Sequence, residues 1–208
     1  MAETKKSFYI IDDHEMLRLG TASYIQNKSD WTCAGSAGNG QDALRDLKAL
    51  AERGEPPLLV ICDLNFYGQD SGFELVKALR SLYPQTKIVV YSMFFAPGIV
   101  QSAVECGASG YVSKNASSDE LILCMEKTLA GQVYVQEELR QKLENFNSFT
   151  DALTQREKDV MALLLRRWTN DQIAAKLDIK KRAVENYISS IYDKTGVNDK
   201  AELVKRFG

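Results

Sequence analysis

Short apolar runs recur through the first half of the chain. Phe8-Tyr9-Ile10-Ile11, Leu58-Leu59-Val60-Ile61-Cys62, Ile88-Val89-Val90-Tyr91 and Tyr111-Val112 each have the length of a strand, and Trp31 to Ala37 is a weaker run between the first two. They are mostly β-branched or aromatic and do not clearly alternate, the pattern of strands buried on both faces. Helical periods fill the gaps: Met16, Leu17, Gly20, Tyr24 and Ile25; then Ala43, Leu44, Leu47 and Leu50; then Phe73, Leu75, Val76, Leu79 and Leu82. Pro97 suits the first turn of a helix over about 97–105. A last helix over 118–130 opens on the capping box Ser117-Ser118-Asp119-Glu120 and stops at Gly131. Five βα units predict an α/β, flavodoxin-like (βα)5 domain with a parallel sheet and helices on both faces.

Beyond Gly131 the pattern changes. Residues 131–149 are a polar, Gln/Asn-rich connector with room for a short helix at 137–145. After it the period is helical only. Thr154 with Glu157 caps a helix carrying Val160, Met161, Leu164 and Leu165. Thr169 with Gln172 caps a second, with Ile173, Ala174 and Leu177. A short turn at Asp178-Ile179 leads to a third, about 181–195, with Val184, Ile188 and Ile191 inward and Gly196 at its end. Asp199 with Glu202 starts a fourth, with Ala201, Leu203, Val204 and Phe207. The expected organisation is therefore an α/β domain over 1–130, a linker over 131–149 and an all-α four-helix domain over 150–208.

Composition narrows the class. With 208 residues, 45% hydrophobic and 26% charged, the chain fits two small globular domains. No apolar run nears the ~18 residues of a membrane span, and no secretory leader opens the chain, so a cytoplasmic protein off the membrane is expected. The four cysteines, at 33, 62, 106 and 124, match no metal or redox spacing and read as buried free thiols. The net charge of -2 conceals an asymmetry: residues 150–208 hold 12 Lys+Arg against 9 Asp+Glu, leaving 14 against 19 for the rest. An acidic first part and a mildly basic second part point to different partners, with nucleic acid a candidate for the second.

Ligands of parallel sheets bind at the carboxyl ends of the strands. At those ends stand Asp12-Asp13, Asp63, Ser92 and Lys114. Three carboxylates can hold a hard cation such as Mg²⁺. A carboxylate beside that ion can attack a phosphoryl group, and a hydroxyl and an ammonium can then bind the transferred oxygens. Three weaker signals carry less. Gly35-Ser-Ala-Gly-Asn-Gly40 is spaced GxxGxG with no Lys-Ser/Thr after it, and reads as a turn. His14 is the only histidine, which cannot build a zinc site and reads as a polar residue on the rim of the acidic pocket. Asp63-Leu-Asn65 is half of a dehalogenase-type phosphatase loop, but Asn65 cannot serve as the general acid.

In the second domain, two short helices across a tight turn form a helix-turn-helix, whose second helix can enter a major groove. Lys180, Lys181 and Arg182 open that helix and suit phosphates. Asn186, Ser189 and Ser190, opposite the apolar side, suit base edges. A small protein-docking domain is the competing reading.

The motifs IIDDH, VICDLN, VVYS and GYVSK, over roughly residues 5–130, resemble the receiver domain of bacterial response regulators. The resemblance implies Asp63 as phosphoacceptor, Mg²⁺ held by Asp12, Asp13 and Asp63 with the Asn65 carbonyl, Ser92 and Lys114 sensing the phosphoryl group, and Tyr111 as the switch aromatic. The loop after Asp63 departs from the family: Phe66-Tyr67 replace a usual Met-Pro, and Gly72 falls one position late, an apparent one-residue insertion. LTQREKDVMALL, TNDQIAAKLDI, AVENYISSIYDKTGV and DKAELV resemble the LuxR-type helix-turn-helix of the NarL/FixJ response regulators. There Ala183 replaces a usual Thr, Tyr187 a usual His, and Glu185 takes a position that is often basic and near DNA. Glu185 repels phosphate but could accept from cytosine N4.

The resemblances imply a transcription regulator with a sensor histidine kinase as partner, double-stranded DNA as target, and a homodimer formed on phosphorylation or on DNA. It would be no enzyme beyond Mg²⁺-dependent self-phosphorylation and self-dephosphorylation. A stand-alone aspartyl phosphatase is disfavoured by Asn65 and the extra helical domain. A sequestering protein that needs no phosphorylation is disfavoured by the intact Asp12, Asp13, Asp63, Ser92 and Lys114 set.

Overall fold

A computed structural model of the protein describes residues 6–65 and 72–207. The altered loop at Phe66-Tyr67 lies outside the described residues. The chain divides into two compact units, one made chiefly of residues up to Glu137 and the other chiefly of residues from Glu138.

The first unit alternates β1 (Ser7–Ile11), α1 (Glu15–Lys28), β2 (Thr32–Ala37), α2 (Gly40–Glu52), β3 (Leu59–Cys62), α3 (Gly72–Leu82), β4 (Lys87–Ser92), α4 (Pro97–Glu105), β5 (Gly110–Ser113) and α5 (Ser118–Leu129). The strands pair in parallel in the order β2-β1-β3-β4-β5. The near-continuous apolar runs are explained by burial on both sides. Phe8, Ile10, Leu59, Ile61, Val89, Tyr91 and Val112 pack with Ile25 of α1 and with Leu121, Cys124 and Met125 of α5. Successive residues point the other way, and the hydroxyl of Tyr9 accordingly donates to Asp46 on α2 at 2.8 Å.

Several expectations are corrected in detail. The sheet gains a sixth strand, β6 (Tyr134–Val135), parallel to β5 and inside what read as a polar connector. Polarity concealed it, because its bonds come from backbone and from Gln136 rather than from buried side chains. The following helix, α6 (Glu137–Thr150), is longer than expected. In α1 only Ile25 is buried, and Met16, assigned to the inner face, is 81% exposed. Gly35 lies within β2 rather than in a turn, where a Cβ would crowd the Tyr9 ring. Ser117 caps α5, but the box is half made, since Glu120 accepts from the Tyr134 hydroxyl instead. Cys62 and Cys124 are buried thiols, whereas Cys33 and Cys106 are partly exposed.

The second unit holds α6, α7 (Gln155–Leu165), α8 (Asn170–Leu177), α9 (Lys181–Thr195) and α10 (Lys200–Phe207). Phe146, Leu153, Val160, Met161, Leu163, Leu164, Ile173, Val184, Ile191, Val197 and Leu203 form its core. The capping boxes at Thr154 and Thr169 are both complete. The end of α7 is unusual. The Arg167 N–H donates to Leu164 O and the Trp168 N–H to Leu163 O, the paired bonds of a Schellman cap. That cap places Arg167 at φ 63, where glycine is cheaper. Arg167→Gly should therefore stabilise this unit by about 0.5–1 kcal/mol. Thermal unfolding checks this, and an unchanged or lower midpoint would show the cap unstrained. Among the described residues no helix is long and apolar enough to cross a membrane.

Candidate functional site

The register of the sheet brings four strand ends together. The Asp12 N–H donates to Ala37 O at 3.1 Å, the Asp63 N–H to Ile11 O at 2.9 Å and the Lys114 N–H to Ser92 O at 2.9 Å, so each residue after a strand is pinned to its neighbour. Lys114 Nζ bridges two carboxylates, 2.6 Å from Asp12 Oδ2 and 2.5 Å from Asp63 Oδ2. The three side chains are only 5–6% exposed. Burial alone would lower the Lys114 pKa, but the hydrogen bonds and charges of Asp12 and Asp63 outweigh it and raise it. The ammonium therefore stays charged, as a buried cation paired with two carboxylates must.

The other Asp63 oxygen, Oδ1, accepts the N–H groups of Leu64 at 2.6 Å and Asn65 at 3.3 Å. This carboxylate is thus oriented from both sides. Asp12 Oδ1 accepts the His14 N–H at 2.9 Å, and His14 Nδ1 lies 2.8 Å from Asp13 Oδ1. His14 is 71% exposed, on the rim as expected. Among the described residues Asp12, Asp13 and His14 hold ligand atoms within 4.8 Å of one another, and the hard carboxylate oxygens of that acidic cluster fit a divalent cation such as Mg²⁺. Two further residues shape the cluster, of which only Gly72 stood out in the sequence. Arg18 Nη1 donates to Asp12 O at 2.6 Å. Gly72 donates its N–H to Leu64 O, and a Cβ there would overlap the Leu64 backbone atoms Cα, C and O.

Gly72→Ala should therefore push the Asp63–Asn65 segment out of place. We expect a loss of about 2–3 kcal/mol of stability. Equal unfolding midpoints for wild type and variant would refute the packing argument.

Ser92 is fully buried, and its Oγ accepts the Phe94 N–H at 3.4 Å. Tyr111 is also fully buried and donates its hydroxyl to Phe94 O at 2.6 Å. Burial, and then the Asp63 charge, push the Tyr111 pKa upward, so the phenol remains a donor. Both backbone polar groups of Phe94, its N–H and its C=O, are thus held by the two expected switch side chains. Beyond them, Met93, Phe94 and Phe95 expose apolar surface.

In the second unit, Lys180, Arg182, Glu185, Asn186 and Ser189 are exposed along α9. Lys181 is exposed too, but its Nζ is 2.9 Å from Asp171 Oδ2 on α8. Ser190 is drawn elsewhere, because its hydroxyl donates to Glu157 Oε1 at 2.6 Å. Its expected place on the base-reading side is corrected: one residue past Ser189, the 3.6-residue period turns it toward α7. Lys194 joins the same carboxylate at 2.7 and 2.9 Å. Glu157 was legible only as a cap. Its tie to α9 spans more than thirty residues and has no local pattern.

Residues 8–126 match the family model described as response regulator receiver domain, and 151–207 the one described as bacterial regulatory proteins, luxR family. The chain is 32% identical over 203 residues to the transcriptional activator protein ExaE of Pseudomonas putida, covering 94% of this chain and 92% of that protein. It is 27% identical over 198 residues to the response regulator protein VraR of Staphylococcus epidermidis, covering 93% and 92%. A solved structure of RcsB from Salmonella enterica serovar Typhimurium, bound to a promoter with a phosphomimetic, superposes with a TM-score of 0.69 at 20% identity over 97% of each chain, a likeness of fold. With its receiver half and its luxR-family half both matched, the chain belongs to the response regulators, as a DNA-binding transcriptional regulator of the LuxR-type class.

Proposed function

We propose that Asp63 is the phosphoacceptor of this regulator and that a sensor histidine kinase, or a small phosphodonor, supplies the group. The observation that carries the reading is the Lys114 bridge between the Asp12 and Asp63 carboxylates, which gathers cation and nucleophile at one strand-end cluster. An Asp63 carboxylate oxygen attacks phosphorus, a new O–P bond forms, and the donor's bond to phosphorus breaks with its electron pair leaving on the donor. Asp12, Asp13, Asp63 and the Asn65 carbonyl would hold Mg²⁺, which neutralises charge on the incoming phosphoryl oxygens when bound. The same cluster supports Mg²⁺-dependent self-phosphorylation and self-dephosphorylation.

Lys114 and Ser92 then turn to the phosphoryl oxygens. As Ser92 Oγ moves, the Phe94 N–H loses its acceptor and the loop held by Tyr111 is free to rearrange. The change favours a homodimer, as in the RcsB dimers seen on DNA. The receiver half takes in the strand at Tyr134–Val135, the DNA-binding domain spans 150–208, and the protein works in the cytoplasm. Lys180, Lys181 and Arg182 contact phosphates of double-stranded DNA, while Asn186, Ser189 and Glu185 face base edges. The test is genomic. Fragments captured from the organism's own DNA should be few, and their occupancy should rise with a phosphoryl donor. Equal occupancy with and without donor would refute the coupling.

A further inference from the structure

The basic start of α9 is less basic than its three consecutive cations imply. From Thr169 to Ser190 the chain carries four basic residues, Lys176, Lys180, Lys181 and Arg182, against three acidic ones, Asp171, Asp178 and Glu185. The acids also stand close to the cations. Asp171, the second residue of α8, places Oδ2 2.9 Å from Lys181 Nζ. Glu185 follows Lys181 by one helical turn, so the two share a face of α9. The hydrogen bond and charge of Asp171, with a smaller contribution from Glu185, raise the Lys181 pKa. Lys181 therefore meets DNA already paired.

Non-specific DNA binding rises from phosphate neutralisation by free cations. A cation held by a carboxylate releases fewer counterions, and the carboxylate that holds it repels the phosphate. Base-edge contacts from Asn186 and Ser189 are not weakened in the same way. We propose that Asp171, together with Glu185, is a charge filter on the recognition helix: it withholds Lys181 from DNA of arbitrary sequence, so that stable binding requires the base contacts of the true operator. The proposal rests on the reading of α9 as the recognition helix. It assigns Asp171 to specificity rather than to holding α8 in place, although a carboxylate in a first helical turn is also favourable to the helix.

Binding of the full-length protein is measured across a salt series to a random duplex and to the fragment it enriches most. Asp171→Asn should tighten random-duplex binding about threefold to fivefold and steepen its salt dependence by about one unit, because Lys181 then reaches a phosphate. Discrimination between fragment and random duplex should fall in proportion. Asp171→Glu, which keeps the charge, should behave like wild type. Thermal unfolding of each variant separates a filter from a merely structural role. If Asp171→Asn leaves affinity and salt dependence unchanged while Lys181→Ala and Arg182→Ala still weaken binding, the filter is wrong and the recognition helix stands. If Lys181→Ala, Arg182→Ala and Asn186→Ala all leave binding unchanged, α9 is not the recognition helix and both readings fall.

Discussion

Asp63→Asn should gain no phosphoryl group when incubated with Mg²⁺ and acetyl phosphate, under conditions in which the wild type gains one labile group per chain. Intact-mass measurement at neutral pH reads the difference directly. The expectation follows from geometry rather than from acidity. Asp63 is the carboxylate whose one oxygen is held by two loop N–H groups and whose other oxygen faces Lys114. An amide keeps the shape but offers a poor nucleophile. Uptake by the variant at the wild-type rate would move the acceptor elsewhere. Lys114→Ala should separate two roles that the cluster combines. It should still accept the group, because the nucleophile remains, yet fail to couple it to DNA occupancy. A Lys114→Ala protein whose DNA occupancy still rises with donor would remove Lys114 from the sensing role.

Glu157→Ala should be severely damaging to the DNA-binding half. The carboxylate accepts the N–H and hydroxyl of Thr154, the hydroxyl of Ser190 and the ammonium of Lys194. The loss removes half of the capping box and several hydrogen bonds to a charged group, about 3 kcal/mol together. A separate unfolding transition for this half should move down accordingly, and a shift of only a degree or two would show that α9 is held by its apolar side alone. The pH dependence has a definite sign. The hydrogen bond from Lys194, then that from Ser190, lower the Glu157 pKa from 4.5 to about 2. A folded-state pKa below the unfolded one stabilises above the unfolded value, so the contribution is full above about pH 4.5 and disappears on acidification towards pH 2. Glu157→Gln should be less sensitive than wild type to acid across that window.

The parts of this protein legible in its sequence are those written locally. Strand-length apolar runs, capping pairs such as Thr154 with Glu157, and acids immediately after strands are all patterns within a few residues. The convergence of Asp12, Asp63 and Lys114 was legible because sheet topology places strand ends together whatever the helices do. What escaped depends on contacts between distant segments. Ser190 and Ser189 look alike in the sequence, but only Ser190 meets Glu157. Asp171 looks like an ordinary first-turn carboxylate until α9 brings Lys181 to it. Met16 fits a helical period, yet α1 turns it to solvent because Ile25 is the only side chain of that helix that is fully buried. β6 escaped because two residues are too few to show a period.

That short strand decides where the receiver half could be cut from the chain. The outer edge of β5 is satisfied by the segment after Gly131: Tyr134 donates its N–H to Ser109 O, Gln136 donates its N–H to Tyr111 O, and the Gln136 side chain accepts the Ser113 N–H, each at 3.0 Å. A fragment ending at residue 130 would leave that row of donors and acceptors bare beside Tyr111. Bare edges recruit other strands, so such a fragment should self-associate through β5 and report an artificial dimer. A fragment carried on through Gln136 keeps the edge closed, and only its oligomeric state would speak for phosphorylation.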